Sequence, residues 1–492
     1  MKESPSLKNQ AKAIFIGNIL ATLFQLLTPV IITRLVAKAD YGIFRQFTLI
    51  AIPLFTMLGM GYSTSLYYFY PTSDAKGKQK IIQQTQFLFL INAFITLLIF
   101  TIFGDEIFEY FKFDKSAGIE MYLVLYISFE LLASIIENIF TLEKNLLLNK
   151  VYYPLEKIGR FLIFLITVLI LPGYKGLITA LTIFGALKFL FLAQHISPYF
   201  KKIYKLDFKL IKEQLIYSIP FGLAIILDVV SNTFDKFIIN KYISAEEFAV
   251  YAVSFVSIPI LAHFFKSIHN VVVPEISIHL SNNRMKEATV LWQKTVEKTS
   301  SLTIPSVFIF WLMAHEIIGV MYPPEYSEAA NYYRIYIIMF FASMFSHNII
   351  LRGAKKTHLI LVGSVIGVII TVILGLILVP IYGLYGAVVT GLIGVTTPIL
   401  ISINIERRVM RLSFSNWVNW KKLGINFAIC FLASLPIYFF KDYIPNVFVR
   451  GTVSGIVFVL IVVPLQIKYD IFLFNDMLVK VLKKININIG EK

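Results

Sequence analysis

Apolar segments of about twenty residues follow one another along almost the whole chain, and each is continuous rather than alternating. A bilayer's hydrocarbon core is about 30 Å thick, and a helix of about 20 mostly apolar residues crosses it. Backbone exposed to lipid must satisfy its own hydrogen bonds, so only helices and closed barrels can span. Barrel strands alternate apolar and polar residues; these segments do not, so helices are expected. With 57% hydrophobic residues and a mean hydropathy of +0.75, the chain exceeds what a water-soluble fold can cover with polar surface. The pattern predicts fourteen helices near 13–36, 43–66, 82–103, 119–141, 151–171, 175–197, 211–233, 247–273, 300–320, 331–351, 358–379, 384–404, 424–440 and 448–467. The fold class is therefore all-α, a polytopic membrane protein.

Charge orients the helices. With the N-terminus in the cytoplasm, the inner segments hold 30 Lys and Arg and the outer segments hold 10. Such an excess over short loops is the positive-inside signature. It implies cytoplasmic N- and C-termini and an even helix count. It also accounts for most of the +16 net charge, so no nucleic acid is expected as a partner. The basic start MKESPSLKNQAK leads into an apolar stretch of about 24 residues, too long for a cleaved signal core. The lone Cys430 rules out an internal disulfide. Residues 279–299 are expected to form an amphipathic helix on the inner surface.

Two passages recur. ITRLVAKADYGIF, from Ile32 to Phe44, returns as INKYISAEEFAVY, from Ile239 to Tyr251, an offset of 207 residues. One position is identical and eight are like for like, and each copy joins one apolar segment to the next. The turn LPGYKG (Pro172, Gly173, Gly176) returns as VPIYGLYG (Pro380, Gly383, Gly386), 208 residues on when the prolines are aligned. Six helices lie between the copies, so the halves share one orientation, as parallel repeats do. The expected organisation is an N-lobe of helices 1–6 (1–197), a cytoplasmic linker (198–212), a C-lobe of helices 7–12 (213–405), and helices 13–14 with a basic tail (406–492).

TRLVAKADYGIF resembles the arginine–leucine, small, acidic, Tyr-Gly phrase of Wzx-type polysaccharide (O-antigen) flippases. YSIPFGLAIILDVVSNTFDKFIINKYISAEEFAVYAVSF, residues 217–255, resembles their seventh and eighth helices, with Pro274 in VVVPEIS closing the eighth. Their superfamily also holds multidrug extruders and the lipid II flippase. The resemblance implies two six-helix lobes around a V-shaped cavity that alternates access. It implies export of undecaprenyl-diphosphate-linked oligosaccharide for surface polysaccharide, such as the O-antigen of lipopolysaccharide. Membrane lipid, a coupling ion (H+ or Na+) and a polysaccharide polymerase are the further partners expected. Drug extruders often carry an aspartate in helix 1; here that helix offers Asn18 and Gln25 but no acid. An extruder of small amphipathic cations is the alternative. A membrane glycan polymerase ranks below it, because the longest outer loop, 104–118, has only about fifteen residues.

A diphosphate-linked head needs a wet, cationic cleft, and arginine's planar fork suits phosphate. The candidate cations are Arg34 and Arg45 near the outer ends of helices 1 and 2, Lys188 in helix 6, and Lys266 in helix 8. Arg34 and Arg45 could equally snorkel to headgroups or pair with Asp40, and Lys188 could simply form a salt bridge to Glu130 or Glu137. His263, Lys266 and Asn270 share one face of helix 8. Glu130 and Glu137 share a face of helix 4, and Asp228 and Asp235 a face of helix 7, as gating or coupling acids or as charge balance for buried lysines. No spacing suits a metal, no phosphate loop or catalytic triad is visible, and no cofactor is expected. The chain reads as a transporter, not an enzyme. Gly61 in GMGYS is assigned to helix packing.

Overall fold

The computed structural model describes residues 7–114, 118–256, 258–345, 348–354, 356 and 358–471, and among them helices are the only regular elements. They pack as two compact units, Met1–Ala252 and Val253–Lys492. The first holds α1 (Leu7–Leu35), α2 (Lys38–Gly59), α3 (Tyr62–Phe69), α4 (Ala75–Phe111), α5 (Ile119–Ala133), α6 (Ile136–Leu142), α7 (Leu146–Ile170), α8 (Tyr174–Ile196) and α9 (Phe208–Tyr242), and α10 (Ala245–Val253) ends at its boundary. The second holds α11 (Pro259–Ser281), α12 (Met285–Leu312), α13 (Ala314–Met321), α14 (Ala329–Ile337), α15 (Met339–Ser343), α16 (Ile349–Gly353), α17 (His358–Val409), α18 (Phe414–Trp417), α19 (Trp420–Phe440) and α20 (Val447–Lys468).

Each of the fourteen apolar segments coincides with one of these helices, a run of neighbouring helices, or part of a long one. Among the described residues, eight helical stretches are long and apolar enough to cross a membrane, or nine if α12 and α13, bent by 69°, form one span. The 52 residues of α17 would stretch about 78 Å as a straight helix, more than twice a bilayer core. Gly383, at φ 55° and ψ −130°, breaks it into the eleventh and twelfth segments.

The repeated turn is built twice in the same way. Gly173 has φ +83° and Gly383 φ +55°, conformations that side-chain-bearing residues rarely adopt. A Cβ on Gly176 would lie 1.8 Å from the Leu171 carbonyl oxygen, and one on Gly386 2.1 Å from that of Leu378. Both glycine pairs are 210 residues apart, so the glycines set the register and the prolines slip by two. The other repeat matches as well. In each copy a helix ends, an extended residue follows (Ala37, Ile243), and the next helix starts within two residues. Ile32, Val36, Tyr41 and Phe44 are buried in the first copy, and Ile239, Ile243, Phe248 and Tyr251 in the second.

The two copies also touch. Gln46 donates to the Asn240 side chain at 2.6 Å. Gly42 approaches Ala245 so closely that a Cβ would sit 1.8 Å from its carbonyl oxygen. Near them Tyr110 donates to the Phe237 carbonyl and Lys112 to that of Ile243. Here α9 packs on α2, α3 and α4, which is why the first unit extends past residue 212. The lobe limits expected from sequence follow repeat units, whereas the unit limits follow packing.

Two expectations are corrected. Residues 279–299 are not a separate surface helix: 279–281 end α11, and 285–299 belong to the next helix. They begin α12 and run straight into the ninth segment, and Ala288, Trp292 and Val296 lie in the second unit's core, with Trp292 beside Trp417. Gly61 does not serve packing within a helix. With Met60 it adopts positive φ and separates α2 from α3.

Helices α19 and α20 are bound to the second unit by buried polar groups. Asn426 donates to the Ser300 carbonyl, and Gln466 donates to the Ser301 carbonyl and to Asn426. Glu316, 3% exposed, accepts from Lys441 at 3.0 Å and pairs with Arg450 at 3.1 Å. Between apolar helices such hydrogen bonds supply the association that hydrophobicity cannot.

Replacing Gly42 by valine drives side-chain atoms into the Ala245 backbone. The variant should lose about 1–3 kcal/mol of stability, the usual cost of overpacking, read as a lower midpoint of thermal unfolding in detergent. An unchanged midpoint would show that the close approach of the two copies is dispensable.

Candidate functional site

Cations that leave the loops are the ones a membrane chain must explain. Of the 45 Lys and Arg, the inner and outer segments with their adjoining helix ends account for 40, leaving Lys157, Arg160, Lys188, Lys266 and Arg334. Lys157 and Arg160 lie on α7, in a helix whose remaining face is apolar. Intramembrane charges of this kind face protein or water.

The structure gathers them with Arg45. A cavity of about 280 Å³ opens between α1, α2 and α7, with Gln25, Thr28, Arg45, Thr48, Lys157 and Arg160 among its walls. That is the volume of about nine waters at ~30 Å³ each. Arg45 lies two turns inside α2, and its Nε is buried without a hydrogen-bond partner. Lys157 contacts Glu156 at 3.2 Å and the face of Tyr153. Arg160 lies over the Phe164 ring, which itself meets Phe44 edge-on at 5.7 Å. Pro29 lies inside α1 and lines the cavity. A proline there has no N–H to donate to the carbonyl four residues back, that of Gln25. Three cations and one adjacent acid leave the cavity net positive, and at least one arginine donor is unclaimed. Such a site suits an anion with several acceptor oxygens.

Beside it, Lys188 on α8 donates to Glu130 on α5 at 2.8 Å, with side chains 17% and 12% exposed. The two acids of the fourth segment fall on either side of a helix break, Glu130 on α5 and Glu137 on α6. They differ in setting: Glu137 is exposed, and Glu130 is held by the lysine.

The other sequence candidates are dispersed. Arg34 is exposed at the end of α1, where it donates to the Val30 carbonyl. It is absent from the walls around Arg45. Asp235 is 2% exposed and accepts from Tyr251, with Lys236 at 3.4 Å. Asp228 lies on α9, and His263, Lys266 and Asn270 on α11; their side chains lie outside the described residues. Sequence reading passed over Glu156, Lys157 and Arg160. Their signal was three charges within five residues of an apolar segment, EKIGR.

Removing Lys188 alone leaves Glu130 as an unpaired, half-enclosed charge. Lys188→Ala should cost about 3–5 kcal/mol. The double variant with Glu130→Leu should recover most of it, as read by unfolding of the purified proteins. Additive losses would show that the two groups are not energetically coupled.

Comparison with known proteins places this geometry in context. The family described as "Polysaccharide biosynthesis protein" matches residues 31–331, more than half of the chain. No curated protein matches the sequence. Among solved structures, the lipid II flippase MurJ in an inward closed conformation superposes with a TM-score of 0.71 at 15% identity, covering 95% of this chain and 99% of its own. An inward-facing multidrug resistance MATE transporter of the MOP superfamily gives 0.59 at 13% identity, covering 80% and 94%. A Vibrio cholerae MATE transporter gives 0.52 at 14%, covering 83% and 99%. At these identities the likeness shows a shared polytopic membrane fold.

Proposed function

The chain belongs to the polysaccharide biosynthesis protein family, and on that premise we propose that it is a flippase for polyprenyl-diphosphate-linked oligosaccharide in the bacterial cytoplasmic membrane. The observation that carries this reading is the net positive cavity of Arg45, Lys157 and Arg160 inside an apolar helical unit. A diphosphate or an acidic sugar neutralises charges that lipid cannot solvate. The polyprenyl tail needs no such site, because the hydrocarbon core already dissolves it. The cavity is far smaller than an oligosaccharide, so it holds the anionic group while the glycan occupies a wider path.

In this account the repeat-related lobes, 1–197 and 213–405, alternate access about that path. Both termini are cytoplasmic, and the chain is a transporter rather than an enzyme. Glu130 and Lys188 keep the cavity's neighbourhood folded; Asp228, Lys266, His263 and Asn270 are left as lining or coupling candidates, with H+ or Na+ as the coupling ion. Surface glycans such as O-antigen are the class of end product. Export of small amphipathic cations, the MATE-like alternative, is disfavoured because a cation would meet three positive side chains in this cavity.

Deletion of the gene should abolish surface polymer and trap carrier-linked oligosaccharide in the inner leaflet, both restored by the intact chain. Normal polymer with new sensitivity to cationic drugs would replace the flippase reading with the extruder one.

A further inference from the structure

We infer that the first unit carries a second, separate binding site, for an anionic glycerophospholipid. It lies where the connector after α8 folds back on α4. An apolar groove of about 570 Å³ runs there between α4, α5, α8 and the connector, with Phe87, Leu90, Phe189, Phe200, Ile203 and Leu206 among its walls. That volume falls within the range of small-molecule sites.

The groove is built rather than incidental. Gln83, on α4, donates to the carbonyls of Tyr199 and Lys202 at 2.6 and 2.7 Å and accepts from the Tyr204 amide at 3.0 Å. Those three bonds hold the connector as a fixed wall. Gln86 donates to the Leu132 carbonyl and ties the opposite side. Yet the wall presents apolar side chains outward: Ile203 is 83% exposed and Leu90 56%. Apolar groups held open in this way need an apolar occupant.

Charge selects the occupant. Tyr204, itself part of the wall, has the Lys76 ammonium 5.8 Å and the Lys202 ammonium 5.7 Å from its ring centroid. Both lysines are exposed. Residues 197–212 carry five lysines and a single acid, Asp207. That acid already accepts from the Leu210 amide and lies 3.7 Å from Lys80. Asp74, at the start of α4, accepts from the Gly77 amide. The two acids cap the N-termini of α4 and α9, and two exposed ammonium groups stand at the mouth of an apolar slot. A lipid phosphate fits between them while one acyl chain enters the groove. With the positive-inside orientation the site faces the inner leaflet, where anionic lipid gives about 1 kcal/mol per basic residue near the surface.

The test is native mass spectrometry of the purified full-length protein with phosphatidylglycerol or phosphatidylcholine of matched chains. The wild type should retain phosphatidylglycerol preferentially. Lys76→Gln with Lys202→Gln should reduce that preference about fivefold for each lysine removed, at an unchanged unfolding midpoint. Ala193→Phe, which fills the slot, should reduce retention of both lipids. Equal retention of the two lipids by the wild type, or a preference that survives the double variant, overturns the proposal. Displacement of bound phosphatidylglycerol by equimolar polyprenyl phosphate also overturns it, by showing a carrier-tail site. None of these readouts depends on transport, so failure here leaves the flippase reading standing.

Discussion

A charged side chain removed from water must find an opposite charge, an array of amides, or an ion that arrives as ligand. This constraint organises most of the interior polar chemistry of the chain. Glu130 is met by Lys188, and Glu316 by Lys441 and Arg450. Glu406, fully buried, accepts from the amides of Ile350 and Leu351. In each case the solution also joins elements: α5 to α8, α13 to the hairpin of α19 and α20, and α17 to α16. Among the described residues, Arg45, Lys157 and Arg160 are an exception, because one neighbouring acid cannot balance three cations. The remaining charge is what makes the cavity a candidate site rather than another internal brace.

The second organising element is the repeat. Its two passages are helix–break–helix joints whose buried positions coincide, and in this structure they pack on each other through Gly42 and through Gln46 and Asn240. Close helix approach in a membrane relies on small residues and side-chain hydrogen bonds, since lipid supplies little drive for association. Buried apolar residues of both passages, among them Ile32, Phe44, Ile239 and Phe248, surround those polar contacts.

Much of this fold was legible in the sequence. Continuous apolar runs gave the helices, and the two recurring passages gave the positions of matching helix breaks, because both follow from local composition. The breaks within helices were less legible. Met60 and Gly61 interrupt the second segment through backbone conformation, which no hydropathy pattern records. Residues 285–299 carry enough charge to look interfacial, yet Trp292 is fully buried against Trp417, a tertiary contact that overrides the local pattern. The site was half legible. Arg45 was visible as a cation near a helix end, and Lys188 as a buried lysine with Glu130 among its partners. Glu156, Lys157 and Arg160 fall within the fifth expected helix, but which of its faces meets α1 and α2 is a tertiary matter that the local pattern does not record.

The central claim is that the cavity between α1, α2 and α7 holds the anionic group of a lipid-linked glycan. Binding of a polyprenyl-diphosphate-linked oligosaccharide to the purified protein in nanodiscs tests it most directly, with Arg45→Gln, Lys157→Gln and Arg160→Gln as variants. Loss of one charge-assisted contact is worth about 1.5–3 kcal/mol, so each variant should weaken binding by about tenfold or more while leaving unfolding unchanged. Wild-type affinity in all three folded variants would contradict the account and move the substrate's anion elsewhere in the molecule.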